Sequence, residues 1–323
     1  MMGRGRLFAA LFSAFAVFSA PGAEAQDYPT RAIKFIVPFA GGSATDAVAR
    51  IVGDKVSATL KQPVIIENLP GGSGVIAAQR VARAEPDGYT ILITTNTTHG
   101  ANQSLLAKVP YDAVADFEPI AKLATNPLIL VINPSLPFTS VRELIDYARA
   151  NPGKLTFGSG SSSSRVTGEL LKARAHIDIT HVPYRSIPFA VTDVIGGQIS
   201  MAFADPQTGV PQINSGRVKG LAVSGTTRVK LAPDLPTMEE AGVPNYDIVA
   251  FFAAFAPAKT PKPVIDVLHK AMAEAVNDPG TAERLVASGI DPSLSSPEEL
   301  KGFVVAEIKK WAEIVQAAGI KPE

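Results

Sequence analysis

The chain has 323 residues, with 30 basic and 30 acidic side chains and no cysteine. A net charge of zero gives no reason to expect nucleic acid as a partner, and the length suggests two domains or one large one. The absence of cysteine excludes a disulfide framework, a thiolate metal site and a cysteine nucleophile. The four histidines show no metal-ligand spacing such as H-E-x-x-H, so we predict no metal site and no cofactor.

The N-terminus has the pattern of a cleavable export signal. Arg4 and Arg6 precede an apolar stretch at 7–20, and Ala23 and Ala25 are the small residues that a signal peptidase reads. A membrane anchor is the alternative, but the apolar stretch is shorter than the roughly 20 residues that a spanning helix needs. We therefore predict a signal peptide at 1–25, cleavage after Ala25 and a mature protein in a bacterial periplasm.

The first predicted unit is a strand, a turn of small residues and a helix. An apolar run at 32–37 is followed by Pro38, Gly41 and Gly42, and the spacing of apolar residues after Thr45 is helical. The backbone N–H groups and the dipole at such a helix start favour an anion without any basic side chain. This stretch predicts an anion site.

The next elements extend the same alternation. Strands are predicted at 63–67 and 89–95 with a helix at 75–84 between them, which indicates right-handed β-α-β units. Residues 72–77 match the dinucleotide fingerprint G-x-G-x-x-A, but the following strand ends without the acidic residue that the fingerprint requires. We therefore interpret this glycine-rich segment as a tight turn.

The second half repeats the alternation and adds a helical C-terminus. Further strands are predicted at 127–133, 155–157, 181–184, 199–204, 221–223 and 251–256. Helices are predicted at 140–150, 165–175 and 188–195, and three more after 263, the last at 297–317 with Trp311. Ligands bind at the carboxyl ends of strands in such sheets, so two units facing each other would form a cleft.

A run of four serines, Ser161 to Ser164, lies between a predicted strand and a predicted helix. No G-x-S-x-G nucleophile elbow occurs in the chain. A flexible linker is one interpretation and an anion-binding loop is the other, and the flanking strand and helix favour the loop. Arg165 lies at the start of the helix, and His99 and His181 lie at strand ends from which they could enter the cleft.

These features together resemble the Bug-type (Bordetella uptake gene) receptors, the extracytoplasmic solute-binding proteins of tripartite tricarboxylate transport systems. The resemblance runs from about Tyr28 to the C-terminus. Its motifs are Tyr28-Pro29, Val37-Pro38-Phe39-Ala40, Thr45-Asp46, Pro70-Gly71-Gly72, Pro86-Asp87-Gly88-Tyr89-Thr90, Pro110-Tyr111-Asp112, Asp116-Phe117, His181-Val182-Pro183-Tyr184, Gly196-Gly197-Gln198 and Phe255-Ala256-Pro257.

The resemblance implies an α/β, two-domain periplasmic-binding-protein (Venus flytrap) fold. Each domain would have a central, mainly parallel sheet flanked by helices, with the ligand cleft between the domains. Domain 1 would comprise 26–125 plus 251–323, and domain 2 would comprise 126–250. The family binds small carboxylates through two β-α loops, which correspond here to 39–46 and 159–165. The candidate ligand-binding residues are Phe39, Ala40, Gly42, Ser43, Ala44, Thr45, Asp46, Thr95, Ser159, Ser161, Ser162, Ser163, Arg165 and Asp205.

Several residues depart from the family pattern. Gly41 replaces a proline and Ser43 a glycine in the first loop, while the second loop is a serine run with Arg165 near the usual histidine. Phe251 stands where a tryptophan is usual. Because these changes lie near the expected ligand, the identity of the carboxylate does not follow from the resemblance.

We therefore predict a non-enzymatic receptor that binds an aliphatic, aromatic or amino-acid carboxylate and delivers it to membrane transporter subunits. Hinge closure needs no second subunit, so a monomer is expected. One alternative is a sensor subunit that presents its ligand to a signalling partner. Another is an enzyme acting on a small acid, against which the missing nucleophile elbow and the scarcity of histidine both count.

Overall fold

The computed structural model describes residues 28–322, and the predicted signal peptide at 1–25 lies outside them. No helix within the described range combines the length and apolar character needed to span a membrane. The strands are β1 Ile33–Val37, β2 Val64–Asn68, β3 Thr90–Thr95, β4 Phe117–Pro127, β5 Ile129–Ile132, β6 Leu155–Ser159, β7 Ile179–Pro183, β8 Met201–Ala204, β9 Lys219–Val223, β10 Val249–Pro257 and β11 Asp291–Pro292.

Helices flank these strands, and all but those at Asn102–Leu105 and Pro206–Asn214 were predicted from the sequence. They are α1 Ala44–Leu60, α2 Val75–Ala82, α3 Asn102–Leu105, α4 Val141–Ala150, α5 Ser162–Ala175, α6 Ile187–Ile195, α7 Pro206–Asn214, α8 Lys262–Asn277, α9 Pro279–Ala287 and α10 Pro297–Ala317. The glycine-rich segment forms a 3₁₀ turn at Gly72–Gly74, and a π-helical turn at Thr97–Ala101 follows β3. The tight turn predicted before α2 is thus confirmed.

Two sheets make up the described chain. One has the strand order β11-β4-β10-β3-β1-β2 and the other the order β7-β6-β8-β5-β9. Each sheet carries buried apolar clusters on both of its faces, since successive side chains of a strand point to opposite sides. The molecule therefore has the two-domain α/β architecture that the sequence predicts.

Each sheet is mainly parallel, as expected, because β1, β2, β3 and β4 share one direction in the first sheet and β6, β7, β8 and β9 share one direction in the second. Strand β1 runs parallel to β2 and β3, and β6 runs parallel to β7 and β8. However, β10 is antiparallel to β3 and β4, and β5 is antiparallel to β8 and β9. The cause is the chain path: β5 and β10 enter their sheets directly after the chain crosses between them. No crossover helix precedes either strand, and a parallel pairing needs one.

Strand β4, at Phe117–Pro127, was not predicted from the sequence. Its prolines argue against a strand, because proline cannot donate to the ladder. In the structure Pro119 pairs with Phe255 next to a register shift of β10, and Pro127 is the last residue of the strand. Both positions tolerate a missing N–H group.

Two chain crossings join the sheets, one at Leu128 and one ending at Ile248, and Ser224 ties them together. The Ser224 hydroxyl accepts from the Leu128 N–H at 2.8 Å and donates to the Ile248 carbonyl at 2.6 Å. The Ser224 backbone bonds the same two residues. Helix α10 adds a further connection, because Val304 packs with the first sheet's cluster and Trp311 with the second's.

A prediction follows for two helical glycines with opposite surroundings. A Cβ at Gly168 in α5 would lie 2.2 Å from the ring of the buried Phe157, whereas a Cβ at Gly302 in α10 would meet nothing within 4 Å. We expect Gly168→Ala to lower the free energy of unfolding by about 1–3 kcal/mol through overpacking. The matched control Gly302→Ala should raise it by about 0.5–1 kcal/mol. Urea unfolding of both variants tests this, and equal effects would contradict it.

Candidate functional site

The carboxyl ends of β1, β3, β6, β7 and β8 face a cavity between the two sheets, which we call the inner cavity. Its volume is about 20 Å³, which is room for little more than one water molecule, so the two sheets lie close together across it. Its polar lining consists mainly of hydroxyl groups, and its apolar lining of aromatic and aliphatic side chains. The lining residues are Phe39, Ser43, Thr45, Thr95, Leu128, Gly160, Ser161, Ser163, Ser186, Ile187, Asp205, Ala250 and Phe252. Among these described residues, only Asp205 has a charged side chain.

A larger cavity of about 350 Å³, the outer cavity, adjoins the inner one and shares Phe39, Gly160 and Ser161 with it. Its remaining lining residues are Gly71, Gly72, Ser73, Leu105, Leu106, Ser159, Ser162, Arg165, His181, Pro183, Tyr184 and Arg185. The two arginines are cationic, so the outer cavity carries the charge that the inner cavity lacks.

The residues proposed from the sequence fall into three groups. Those that line the inner cavity are Phe39, Ser43, Thr45, Thr95, Ser161, Ser163 and Asp205. Those that line only the outer cavity are Ser159, Ser162 and Arg165. Ala40, Gly42, Ala44 and Asp46 line neither cavity. The structure therefore brings most of the proposed residues from both loops to one region between the sheets.

Asp46 holds the first loop in place through hydrogen bonds, although it lines neither cavity. Its carboxylate accepts hydrogen bonds from the Gly42 N–H at 3.0 Å, from Arg50 at 3.0 Å and from the Asn68 amide at 3.0 Å. Burial raises the pKa of Asp46, but the hydrogen bonds from Arg50, Gly42 and Asn68 together hold it below its usual value. Its side chain is 4 % exposed and holds the loop in place.

The serine run forms the first turn of a helix rather than a linker. Ser161 is the N-cap of α5, and its hydroxyl accepts from the Ser164 N–H. The Ser162 hydroxyl donates to Asn102 at 2.9 Å, and the Ser163 hydroxyl donates to Asn96 at 2.9 Å. Since both asparagines follow β3 of the first sheet, these bonds connect the two halves of the cleft.

Asp205 makes a second connection across the cleft. It follows β8, and its carboxylate accepts from the Asn126 amide at 3.3 Å. The Ala44 N–H at the start of α1 lies near enough to this carboxylate to lower its pKa. The neighbouring Gln207 donates to the Gly42 carbonyl at 3.0 Å. The first N–H of α1, which the sequence predicts as part of an anion site, thus lies beside a carboxylate of the chain itself. Burial raises the pKa of Asp205 to about 6, because its effect is larger than the lowering of the pKa by hydrogen bonds.

Sequence reasoning missed the part of the inner cavity that follows β7. Ser186 and Ile187 line it there, and Gly160 lies directly against their backbone. A signal was present, because a serine two residues before a proline is typical of a helix N-cap. Leu128, Ala250 and Phe252 lie at or near the chain crossings and carried no such signal.

His99 does not enter the cleft, contrary to what its place at a strand end suggested. It is fully buried, and its ring stacks on Phe255 at 3.9 Å and meets the edge of Phe117 at 4.7 Å. Burial lowers the pKa of His99 to about 3, so the ring is neutral. His181 lines the outer cavity, where its Nε2 lies 2.7 Å from the Ser159 hydroxyl.

The fold and the cleft between its two sheets define a two-domain solute-binding receptor. Residues 48–320 match the model of the tripartite tricarboxylate transporter family receptor, and the chain belongs to this family.

Solved structures agree with this membership. The chain is similar to Rpa4515 of R. palustris with adipate, at 34 % identity and a TM-score of 0.89, over 92 % of this chain and 100 % of that one. It is similar to the periplasmic binding protein BugD, at 32 % identity and a TM-score of 0.88, with the same coverage. It is also similar to MatC of Rhodopseudomonas palustris with bound malate, at 32 % identity and a TM-score of 0.85, over 89 % of this chain and 100 % of that one.

The raised pKa of Asp205 predicts a pH dependence of stability. The folded chain keeps a proton on Asp205 between pH 4 and 6, where the unfolded chain has lost it, so the contribution of Asp205 to stability falls as the pH rises across this range. The amide in Asp205→Asn does not ionise, so the variant does not lose stability in this way as the pH rises. We expect the free energy of unfolding of the variant, relative to the natural chain, to rise by up to about 3 kcal/mol from pH 4 to pH 7. Urea unfolding at each pH measures it, and a constant difference would contradict the prediction.

Proposed function

We propose that this chain captures a small organic carboxylate in the cleft between its domains and delivers it to the membrane subunits of a tripartite tricarboxylate-type transporter. Two similar structures, which hold adipate and malate, support this ligand class. The observation that carries the proposal is the cleft between the sheets, where the inner and outer cavities adjoin and hydroxyls meet the starts of α1, α5 and α6. Neutral donors of this kind bind carboxylates well.

We propose a binding role and no catalytic one. The Ser161 and Ser163 hydroxyls are held by structural partners rather than by a base, since that of Ser161 bonds the Ser164 N–H and that of Ser163 bonds Asn96. A nucleophilic serine would need an adjacent general base. His99 packs between two phenylalanines, and His181 bonds Ser159, which lines the outer cavity and not the inner one.

The finer assignments belong to the same proposal. The signal peptide would be cleaved after Ala25, and the mature chain would act as a monomer in the periplasm. Domain 1 would comprise 26–125 plus 251–323 and domain 2 would comprise 126–250. The two crossings joined by Ser224 would then form the hinge on which the cleft opens and closes.

A thermal-shift screen of the mature chain, Gln26 to Glu323, tests the proposed function. The protein is refolded to remove any ligand retained from expression and is then screened with acetate, lactate, benzoate, glutamate, succinate, malate, adipate and citrate. A ligand at 100 times its dissociation constant stabilises the folded state by about 2.7 kcal/mol. We expect at least one acid to raise the melting temperature by several degrees.

The primary amide of that acid is the matched control. It has a similar shape but no charge, so its shift should be much smaller. The absence of a shift with every acid, or equal shifts with acid and amide, would contradict the proposal of a carboxylate receptor.

A second prediction concerns Arg165, which lines the outer cavity. If the far end of a dicarboxylate reaches this cationic space, Arg165→Ala should weaken binding of a dianion such as adipate by roughly fivefold and leave a monoanion nearly unaffected. Arg217→Ala is the control, because Arg217 is exposed and lines neither cavity. Calorimetric titration measures both, and equal losses for dianion and monoanion would contradict the prediction.

A further inference from the structure

The Ser186 hydroxyl is a buried polar group without a hydrogen-bond partner. Ser186 is completely inaccessible to solvent, its Oγ bonds no described atom, and the residue lines the inner cavity. An unsatisfied buried hydroxyl is unfavourable, and such groups in native proteins usually have a partner. We therefore look for the hydrogen-bond partner of this hydroxyl in the inner cavity, which Ser186 lines.

Ser186 differs in this respect from the other serines that begin helices in the described chain. In each of the others, the hydroxyl accepts a hydrogen bond from the backbone N–H three residues further on. These serines are Ser43, Ser140, Ser161 and Ser296. Ser186 occupies the same position before α6 but makes no such bond.

The local sequence explains why the Ser186 hydroxyl does not cap its own helix. The second residue of α6 is Pro188, which has no N–H group. The third is Phe189, whose N–H donates to the Ser186 carbonyl at 3.2 Å. No donor of the second or third helical position is thus left for the hydroxyl, whereas the first N–H, that of Ile187, has no acceptor within the helix.

The opposite side of the cavity is less suited to an anionic group. There the Asp205 carboxylate lies beside the Ala44 N–H, and a second carboxylate placed beside Asp205 would be repelled. At the start of α6, by contrast, Ser186 and Ile187 line the cavity, and the helix dipole adds positive potential.

Gly160 keeps the second loop in close contact with this helix start. A Cβ on Gly160 would lie 2.1 Å from the Ile187 nitrogen, so only glycine permits the observed approach. The second loop and the start of α6 therefore form one continuous wall of the inner cavity.

We propose that the Ser186 hydroxyl and the Ile187 N–H at the start of α6 bind a carboxylate oxygen of the ligand. The turn between β7 and α6 is then a third ligand-binding segment beside the two β-α loops. The ligand presents an ionised carboxylate to this turn and an uncharged or hydrogen-bond-donating group to Asp205. This assignment rests on the proposed carboxylate-binding function.

Two serine-to-alanine variants test the proposal by separating affinity from stability. Ser186→Ala should weaken binding of the acids that shift the natural chain, malate and adipate included, by about tenfold, the usual scale for a hydrogen bond to a charged group. Its melting temperature without ligand should be no lower than that of the natural chain, because the hydroxyl has no protein partner. Ser140→Ala, which removes an engaged cap far from the cavity, should lower the melting temperature and leave the affinity unchanged.

Calorimetric titration and thermal melts distinguish the outcomes. Unchanged affinity in Ser186→Ala, with normal binding by the natural chain, would overturn this assignment and leave the carboxylate receptor intact. A fall in melting temperature equal to that of Ser140→Ala would show that the hydroxyl is a structural cap, which also overturns it. Absence of binding by the natural chain to every acid would overturn both the assignment and the proposed function.

Discussion

The cleft depends on one physical constraint: several helices begin inside it, and their first backbone N–H groups must be satisfied there. The starts of α1, α5 and α6 all contribute residues to the inner cavity. The N–H groups of a first turn have no acceptor within their own helix. Because the described lining contains no basic side chain, these N–H groups and the adjacent hydroxyls are what remains to hold an anion.

The chain satisfies these groups in different ways, and the differences give each helix start its role. At α1 and α5 a serine side chain caps the helix. At α5 the Ser162 N–H also donates to the Thr97 hydroxyl of the opposite half at 3.2 Å, and at α1 the Asp205 carboxylate lies beside the Ala44 N–H. These two starts therefore also link the halves of the cleft. At α6 the proline at the second position prevents capping, and the serine hydroxyl is left without a partner.

The sequence was sufficient to predict the α/β alternation, both loops and the helical C-terminus, because these depend on local patterns. Apolar spacing placed α1 and α10 close to their observed bounds, whereas the helix predicted from 165 begins at Ser162, within the serine run that was predicted as a loop. Local patterns say little about strand direction. The antiparallel course of β5 and β10 follows from where the chain crosses between sheets, and β4 was missed because Pro119 is tolerated only beside the irregular pairing with β10.

The same limit applies to the site. Asp46 and Asp205 both follow a strand and both belonged to the proposed set, yet only Asp205 faces the cavity. Their partners make the difference: Arg50 and Asn68 hold the Asp46 carboxylate behind the first loop, whereas Asn126 donates to Asp205 across the cleft. The Asp46–Arg50 pair has the i,i+4 spacing of a helix. The bonds from Asn68 and Asn126 join residues far apart in the chain, and no spacing rule predicts them.

The distribution of charge along the cleft bears on which carboxylates fit. The outer cavity has Arg165 and Arg185, while the charged group facing the inner cavity is Asp205. An incoming anion is therefore attracted at the entrance and meets neutral donors further in, next to a carboxyl whose pKa is raised to about 6 by burial. Near neutral pH that carboxyl is largely ionised and opposes a second negative charge beside it. The arrangement favours an elongated acid that leaves any second charge in the outer cavity, with an uncharged or donor-bearing segment passing Asp205.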